Sequence, residues 1–186
     1  GLVGFYGKFV PDYAVIASPL TDATKKGQPN ELIWGDAQEK AFVTLKSHVA
    51  NPPILRLPDS TKPFVLQTDA SDTGLGAVLL QDGDDGVMHP VAFASRKLLP
   101  RETRYSTIER ECLAIVWSVL KFQEYLYGKE FVLETDHQPL QYLGHAQFQN
   151  GRLMRWALAL QPYRFVVRAI HGKYNVGADF LSRHPN

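Results

Sequence analysis

Asp69 ends the stretch FVLQTD, and Asp136 ends the stretch FVLETD, 67 residues further on. The two stretches differ at one position. Each is apolar and rich in β-formers, so each reads as a strand that stops on a carboxylate. Two such strands with a helix between them can lie side by side in parallel through a right-handed crossover. Their ends then coincide at the carboxyl edge of the sheet, where open α/β sheets place ligands. Two carboxylates that close repel unless they are protonated or neutralised. Clustered hard oxygen donors suit Mg²⁺ or Mn²⁺. Taken singly, either aspartate also fits a turn cap after its strand. The pair is not an internal repeat, because the segments downstream, ASDTGLGAV and HQPLQYLG, differ.

The elements that must position these residues follow from periodicity and punctuation. Residues 1–50 read as helical. SPLTDATKK has a Ser/Pro start and a lysine-rich end. DAQEKAFVTLKSHV sets Ala37, Ala41, Phe42, Leu45 and Val49 near helical spacing behind an N-cap candidate, Asp36. The proline-rich NPPILRLPDSTKP breaks regular structure, which places a boundary at residue 62. After it come strands at 64–69, 74–81 and 88–96, with QDGDDG as a turn. STIERECLAIVWSVLKFQEYL (106–126) reads as the longest helix, with Ile108, Cys112, Ile115, Val119 and Phe122 in one stripe. Ser106 and Glu109 form a capping-box pattern at its start. A strand at 129–136, helices at 138–144 and 151–161, a strand at 163–170 and a helix at 175–183 complete the order βββαβααβα.

Composition sets outer limits. The chain has 186 residues, 45% hydrophobic and 21% charged, which is ordinary for a soluble globular protein. No apolar run is long enough for a membrane span, and the first residues carry no secretory pattern. The single cysteine, Cys112, suits a reducing compartment, and no Cys/His spacing suggests zinc. Net charge is +1, unevenly spread. Residues 137–186 hold Arg152, Arg155, Arg164, Arg168, Lys173 and Arg183 against Asp179, a balance of +5. Residues 63–136 hold seven Lys/Arg against twelve Asp/Glu, a balance of −5. Such a division suits carboxylates that hold cations beside arginines that hold phosphates. It equally describes two solvated faces.

Long motifs in the right order make the chain recognisable. TDASDTGLGAVLLQ, the run from PVAFASRKLLP to LETDHQPLQYL, NGRLMRWALALQPYRF and GKYNVGADFLSR closely resemble the ribonuclease H region of gypsy-type LTR retrotransposon reverse transcriptases. GLVGFYGKFVPDYAVIASPLTDATKKG and LIWGDAQEKAFVTLKSHVANPPIL resemble the thumb and connection segment before it. The resemblance implies a helical segment at 1–62 and a ribonuclease H domain at 63–186. It implies an α/β, ribonuclease H-like fold, with a five-stranded mixed sheet and helices on both faces. No Tyr-x-Asp-Asp polymerase motif is present, so no DNA synthesis is expected.

The resemblance also implies four metal-binding carboxylates, here Asp69, Glu111, Asp136 and Asp179. Glu111 is chosen over Glu109 because Ala114 and Ile115 follow it at the family's spacing, whereas Glu109 is engaged by the capping box. The implied activity is cleavage of the RNA strand of RNA/DNA hybrids with two Mg²⁺ ions, Mn²⁺ substituting. The implied partners are the hybrid and the polymerase part of the parent Pol polyprotein, with no membrane. The implied setting is intracellular, in a cytoplasmic virus-like particle if the element is active.

Ser71, Gly74 and Gly76 are open to two readings, close approach to the RNA strand or hairpin geometry. Arg152 and Arg155, with Trp156, are read as DNA contacts or as a solvated face with a core tryptophan. His171 lies where many ribonucleases H carry a product-release histidine, but the segment HGKYNV is short for that role. His137 beside Asp136 fits a helix N-terminal residue better than a catalytic one. Two further readings are a catalytically silent domesticated fragment acting as an interaction domain, and a DDE-type recombinase. The glutamate of ECLAI disfavours the second.

Overall fold

The structure is a computed structural model that describes residues 3–4, 7, 10, 12–25, 29, 31–51, 55–135, 139–146, 150–170 and 174–185. The chain divides into two compact units, Gly1–Arg56 and Leu57–Asn186. The division falls six residues before the sequence-predicted boundary at 62. The cause is Gln81, whose side chain accepts from the Asp59 N–H and donates to the carbonyls of Asp59 and Lys62, tying this lead-in to the sheet.

In the first unit, α1 (Tyr13–Asp22) packs on α2 (Asp36–Ala50). Ala17 of α1 and Ala41, Leu45 and Val49 of α2 are buried. Helix α1 starts before the expected Ser/Pro signal and carries Pro19 inside it. Proline cannot donate to the carbonyl four residues back. Ser18 Oγ donates to that carbonyl of Val15 instead, at 2.9 Å. Asp36 is the first residue of α2 and Gly35 its N-cap, with the Gly35 N–H donating to Gln38 Oε1 at 3.1 Å. Phe42 departs from the expected apolar stripe. It is 47% exposed and meets Trp34 edge to face.

The second unit is a five-stranded mixed sheet in the order β3-β2-β1-β4-β5. Its strands are β1 (Phe64–Ala70), β2 (Gly74–Asp82), β3 (Met88–Lys97), β4 (Glu130–Thr135) and β5 (Arg164–Ala169). Strands β1, β2 and β3 form an antiparallel meander, while β4 runs parallel to both β1 and β5. The near-identical stretches are therefore neighbours, and in register: Phe64 faces Phe131, Val65 faces Val132, Leu66 faces Leu133 and Gln67 faces Glu134.

Helix α3 (Thr107–Lys121) covers one face of the sheet. Its Cys112, Ile115, Val116 and Val119 pack with Phe64, Leu66, Ala77, Leu79, Phe131 and Leu133 in one buried core. The Ser106–Glu109 capping box forms as expected. The long helix breaks at Phe122, which leaves helical geometry before the short α4 (Gln123–Leu126). Helices α5 (Pro139–Ala146) and α6 (Gly151–Leu160) extend the same core through Leu143, Leu153 and Leu160. On the opposite face lies α7 (Val176–Arg183), packed on β2 and β1 and touching β3. Among the described residues no helix is long and apolar enough to cross a membrane.

Candidate active site

Strand alternation decides which way Asp69 points. Phe64, Leu66 and Thr68 turn towards α3, so Asp69 turns to the other face, opposite Gly76 of β2 and beneath α7. Asp69 is 5% exposed, and its Oδ2 accepts from Ser182 Oγ of α7 at 2.5 Å. The same hydroxyl lies 2.9 Å from the main-chain carbonyl of Asp179. The Ser182 hydroxyl thus lies between the Asp69 carboxylate and the main chain of Asp179.

Close approach of the helix makes this possible. A Cβ on Gly76 would stand 2.1 Å from the Ala178 carbonyl oxygen and 2.5 Å from the Ser182 nitrogen. A Cβ on Gly74 would stand 2.7 Å from Pro185 and from the Ser182 carbonyl. The two glycines that the sequence left between RNA contact and hairpin geometry therefore lie under α7.

Side-chain hydrogen bonds pin α7 at both ends. Near its N-terminus the buried Asn175 donates from Nδ2 to the Thr68 carbonyl at 2.9 Å, next to Asp69. Among the described residues Asn175 Oδ1 has no hydrogen-bond partner. Near its C-terminus Ser95 Oγ donates to the Leu181 carbonyl and Ser71 Oγ to the Ser182 carbonyl, both at 2.6 Å. Those carbonyls are among the orphans that every helix end leaves. Ser71 Oγ also accepts from the N–H groups of Thr73 and Gly74. Its hydroxyl is thus engaged within the protein. Asp179 Oδ1 accepts from Arg183 Nε at 2.7 Å, one turn on. That hydrogen bond raises the Arg183 pKa, with the charges of Asp179, Asp69 and Asp72 adding to it.

Glu111 reaches the same edge of the sheet from the α3 side. It is 2% exposed. Its neighbour Arg110 donates to the Ser71 carbonyl at 3.2 Å and pairs with Asp72. One turn on, Ala114 packs with Leu75 and Ala70. The turn of α3 that carries Glu111 is thus docked where β1 ends. Glu109 is engaged elsewhere: it accepts from the Ser106 N–H and pairs with Arg152. Burial pushes the Glu109 pKa up, but the Ser106 and Arg152 bonds outweigh it and hold the carboxyl below its ordinary value.

Arg152, a candidate DNA contact, lies with its guanidinium 4.0 Å over the Tyr105 ring and 5.5 Å from that of Trp156. It clasps α6 to the start of α3. Arg155 is exposed on α6. Asp136, His137 and His171 lie outside the described residues. Among the described residues no three His, Cys, Asp or Glu side chains close into a metal cage. Asp136 is the next residue after the last described one of β4. The donors present are carboxylates on three separate elements, two of them almost fully buried. Carboxylate oxygens are the donor type that hard divalent cations take.

Sequence reasoning missed another buried acidic group, on the Asp69 face of the sheet. Glu134 is 9% exposed; its Oε2 accepts from Gln67 at 2.8 Å and its Oε1 from Arg168 at 3.2 Å. The signal was present: positions 67 and 134 are the one mismatch between the two repeated stretches.

Comparison with known proteins agrees with this architecture. The family described as the RNase H-like domain found in reverse transcriptase matches residues 59–163. The chain belongs to that family. It is 46% identical over 183 residues to the retrovirus-related Pol polyprotein from transposon 297 of Drosophila melanogaster, covering 98% of this chain and 17% of that protein. To the corresponding polyprotein from transposon gypsy of the same fly it is 40% identical over 196 residues, covering 98% of this chain and 18% of that protein. The chain thus spans less than a fifth of these two relatives. Among solved structures, native prototype foamy virus protease-reverse transcriptase superposes with a TM-score of 0.68 at 12% identity, covering 90% of this chain and 23% of that chain. Foamy viral protease-reverse transcriptase in complex with RNA/DNA hybrid gives a TM-score of 0.55 at 18% identity, covering 90% and 23%. At these identities the likeness is one of fold.

Proposed function

We propose that this chain is a ribonuclease H that cuts the RNA strand of RNA/DNA hybrids within retroelement reverse transcription. The observation that carries the reading is that buried Asp69 near the end of β1 lies against α7, the helix that bears Asp179, while the α3 turn bearing buried Glu111 docks where β1 ends. Membership of the reverse-transcriptase RNase H-like family supports it. So does the fold shared with a foamy viral enzyme whose structure was solved with RNA/DNA hybrid.

In this reading Asp69, Glu111, Asp179 and the undescribed Asp136 hold two divalent ions, Mg²⁺ or Mn²⁺. Such ions, when bound, activate a water for in-line attack and stabilise the leaving oxygen. The protein's own part is to aim the carboxylates. Recognition of the hybrid rests on backbone shape and 2′-hydroxyls rather than on base edges. Residues 1–62 are the end of the polymerase segment, and the polymerase part of the parent polypeptide is the partner. The setting is intracellular, in a cytoplasmic particle when the element is active.

The test is cleavage of a labelled RNA/DNA hybrid in Mg²⁺ and in Mn²⁺, with Asp69→Asn as control. Metal-dependent cutting that disappears in the variant is the expected result. A folded protein inert in both metals would instead be a silent interaction domain built on a nuclease fold.

A further inference from the structure

We infer that Ser182 is a positioning residue for Asp69, setting the orientation in which that carboxylate meets a divalent cation. The inference rests on the nuclease reading and adds a residue to it. Ser182 is completely buried. It sits on α7 three residues after Asp179, which on a helix puts it next to the turn carrying that carboxylate. Its hydroxyl has one hydrogen and two acceptors within reach, Asp69 Oδ2 at 2.5 Å and the Asp179 carbonyl at 2.9 Å. An ionised carboxylate is the stronger acceptor, so the hydrogen goes to Asp69. This bond fixes the rotation of the Asp69 carboxylate about its own axis. Because Ser182 and Asp179 share α7, it also ties that rotation to the placement of that helix.

The backbone under Ser182 is held independently. Gly76 lets the Ser182 nitrogen come close, Ser71 Oγ holds the Ser182 carbonyl and Ser95 Oγ holds the Leu181 carbonyl. With the main chain bolted in place, the hydroxyl has little freedom except to rotate between its two acceptors. Groups that orient a metal ligand typically cost 10–100-fold in metal affinity when removed.

Ser95 supplies the control. Its hydroxyl bolts the same helix through a carbonyl, and among the described residues no bond from it to a carboxylate is seen. The experiment is calorimetric titration of the metal-free 186-residue protein with Mn²⁺, alongside thermal melting in EDTA. It compares wild type, Ser182→Ala, Ser95→Ala, Asp69→Asn and the Asp69→Asn/Ser182→Ala double variant. Alanine is smaller than serine and favours helix, so Ser182→Ala keeps the fold.

The expected result is a roughly tenfold or larger rise in the Mn²⁺ dissociation constant for Ser182→Ala, with a lowered melt in EDTA that still leaves the protein folded at the temperature of the titration. Ser95→Ala shifts the melt and weakens metal binding less than Ser182→Ala does. In the Asp69→Asn background Ser182→Ala has no further effect on affinity. Unchanged affinity in Ser182→Ala while wild type binds overturns the inference. So does an equal fall with and without Asp69, or a loss in Ser95→Ala as large as in Ser182→Ala. Wild type that binds no divalent ion overturns the nuclease reading, and this inference with it.

Discussion

The repeated stretches show what single residues contribute. Five of their six positions are identical, and in the structure identical residues face each other across the β1–β4 ladder. The mismatch is where identity would be harmful. Two glutamates at 67 and 134 would put like charges opposite each other with little exposure. Glutamine at 67 supplies a donor to Glu134 instead, and Arg168 supplies the counter-charge. Gln67→Glu should therefore destabilise the protein by about 1–3 kcal/mol, the range for a buried polar group that loses its partner. Urea unfolding measures this. The double exchange Gln67→Glu with Glu134→Gln should recover the larger part of the loss, because a donor again faces a carboxylate. No recovery would show that the pair is not the source. The two strands were legible from their repeated, β-prone stretches; Asp69 falls one residue before the end of β1, and Asp136 lies outside the described residues. The Gln67–Glu134 bond was not legible, because register must be known before a mismatch can be read as a contact. Ser182 was hidden for a related reason: it meets Asp69 across 113 residues of sequence.

Whole elements were easier to foresee than their docking. Strand patterning located the five strands to within a residue or two, and the capping box located the start of α3 to within one, while its end falls at Lys121 rather than at 126. Helix α1 was set too late, because Pro19 reads as a start signal unless Ser18 Oγ is known to satisfy the Val15 carbonyl. Gly74 and Gly76 were ambiguous because a bare glycine states only that space is needed, and what fills the space lies far away in sequence. Here α7 fills it, with main-chain atoms nearer to Gly76 than any Cβ tolerates. Gly76→Ala should thus cost about 3 kcal/mol or more, at or beyond the upper end of overpacking, since backbone rather than a mobile side chain must yield. The consequence should extend past stability. Lifting α7 carries Asp179 and Ser182 away from Asp69, so hybrid cleavage should fall together with the melting temperature. Gly86 offers the comparison: its added Cβ meets nothing, but its φ is +67°. Gly86→Ala should lose a little stability through backbone strain and leave cleavage intact. Equal losses of cleavage in the two variants would contradict the docking role of Gly76.

At the scale of the molecule, charge is arranged so that many carboxylates are held by named partners, and this sets how the fold responds to acid. In Glu102 burial pushes the pKa up, yet the Arg96 bonds and the Leu99 N–H outweigh it and leave the carboxyl below its ordinary 4.5. Glu109 is lowered in the same manner by Ser106 and Arg152 against the same burial. A carboxyl whose folded pKa lies below its unfolded one binds fewer protons when folded. Its stabilisation is fully present above the unfolded value, near 4.5 here, and is lost as pH falls through the lower folded value. Stability should therefore hold level down to about pH 5 and fall steeply from there towards pH 3. Glu109→Gln separates this contribution. At pH 7 the variant should be less stable by about 1 kcal/mol or more, because it weakens the cap and leaves the half-buried Arg152 without its carboxylate. Between pH 5 and pH 3 it should lose less than wild type, because one linked proton uptake is gone. Its two stability curves should converge in acid. Urea midpoints at pH 7, 5, 4 and 3 measure both curves, and parallel curves would show that Glu109 makes no charge-dependent contribution to the fold.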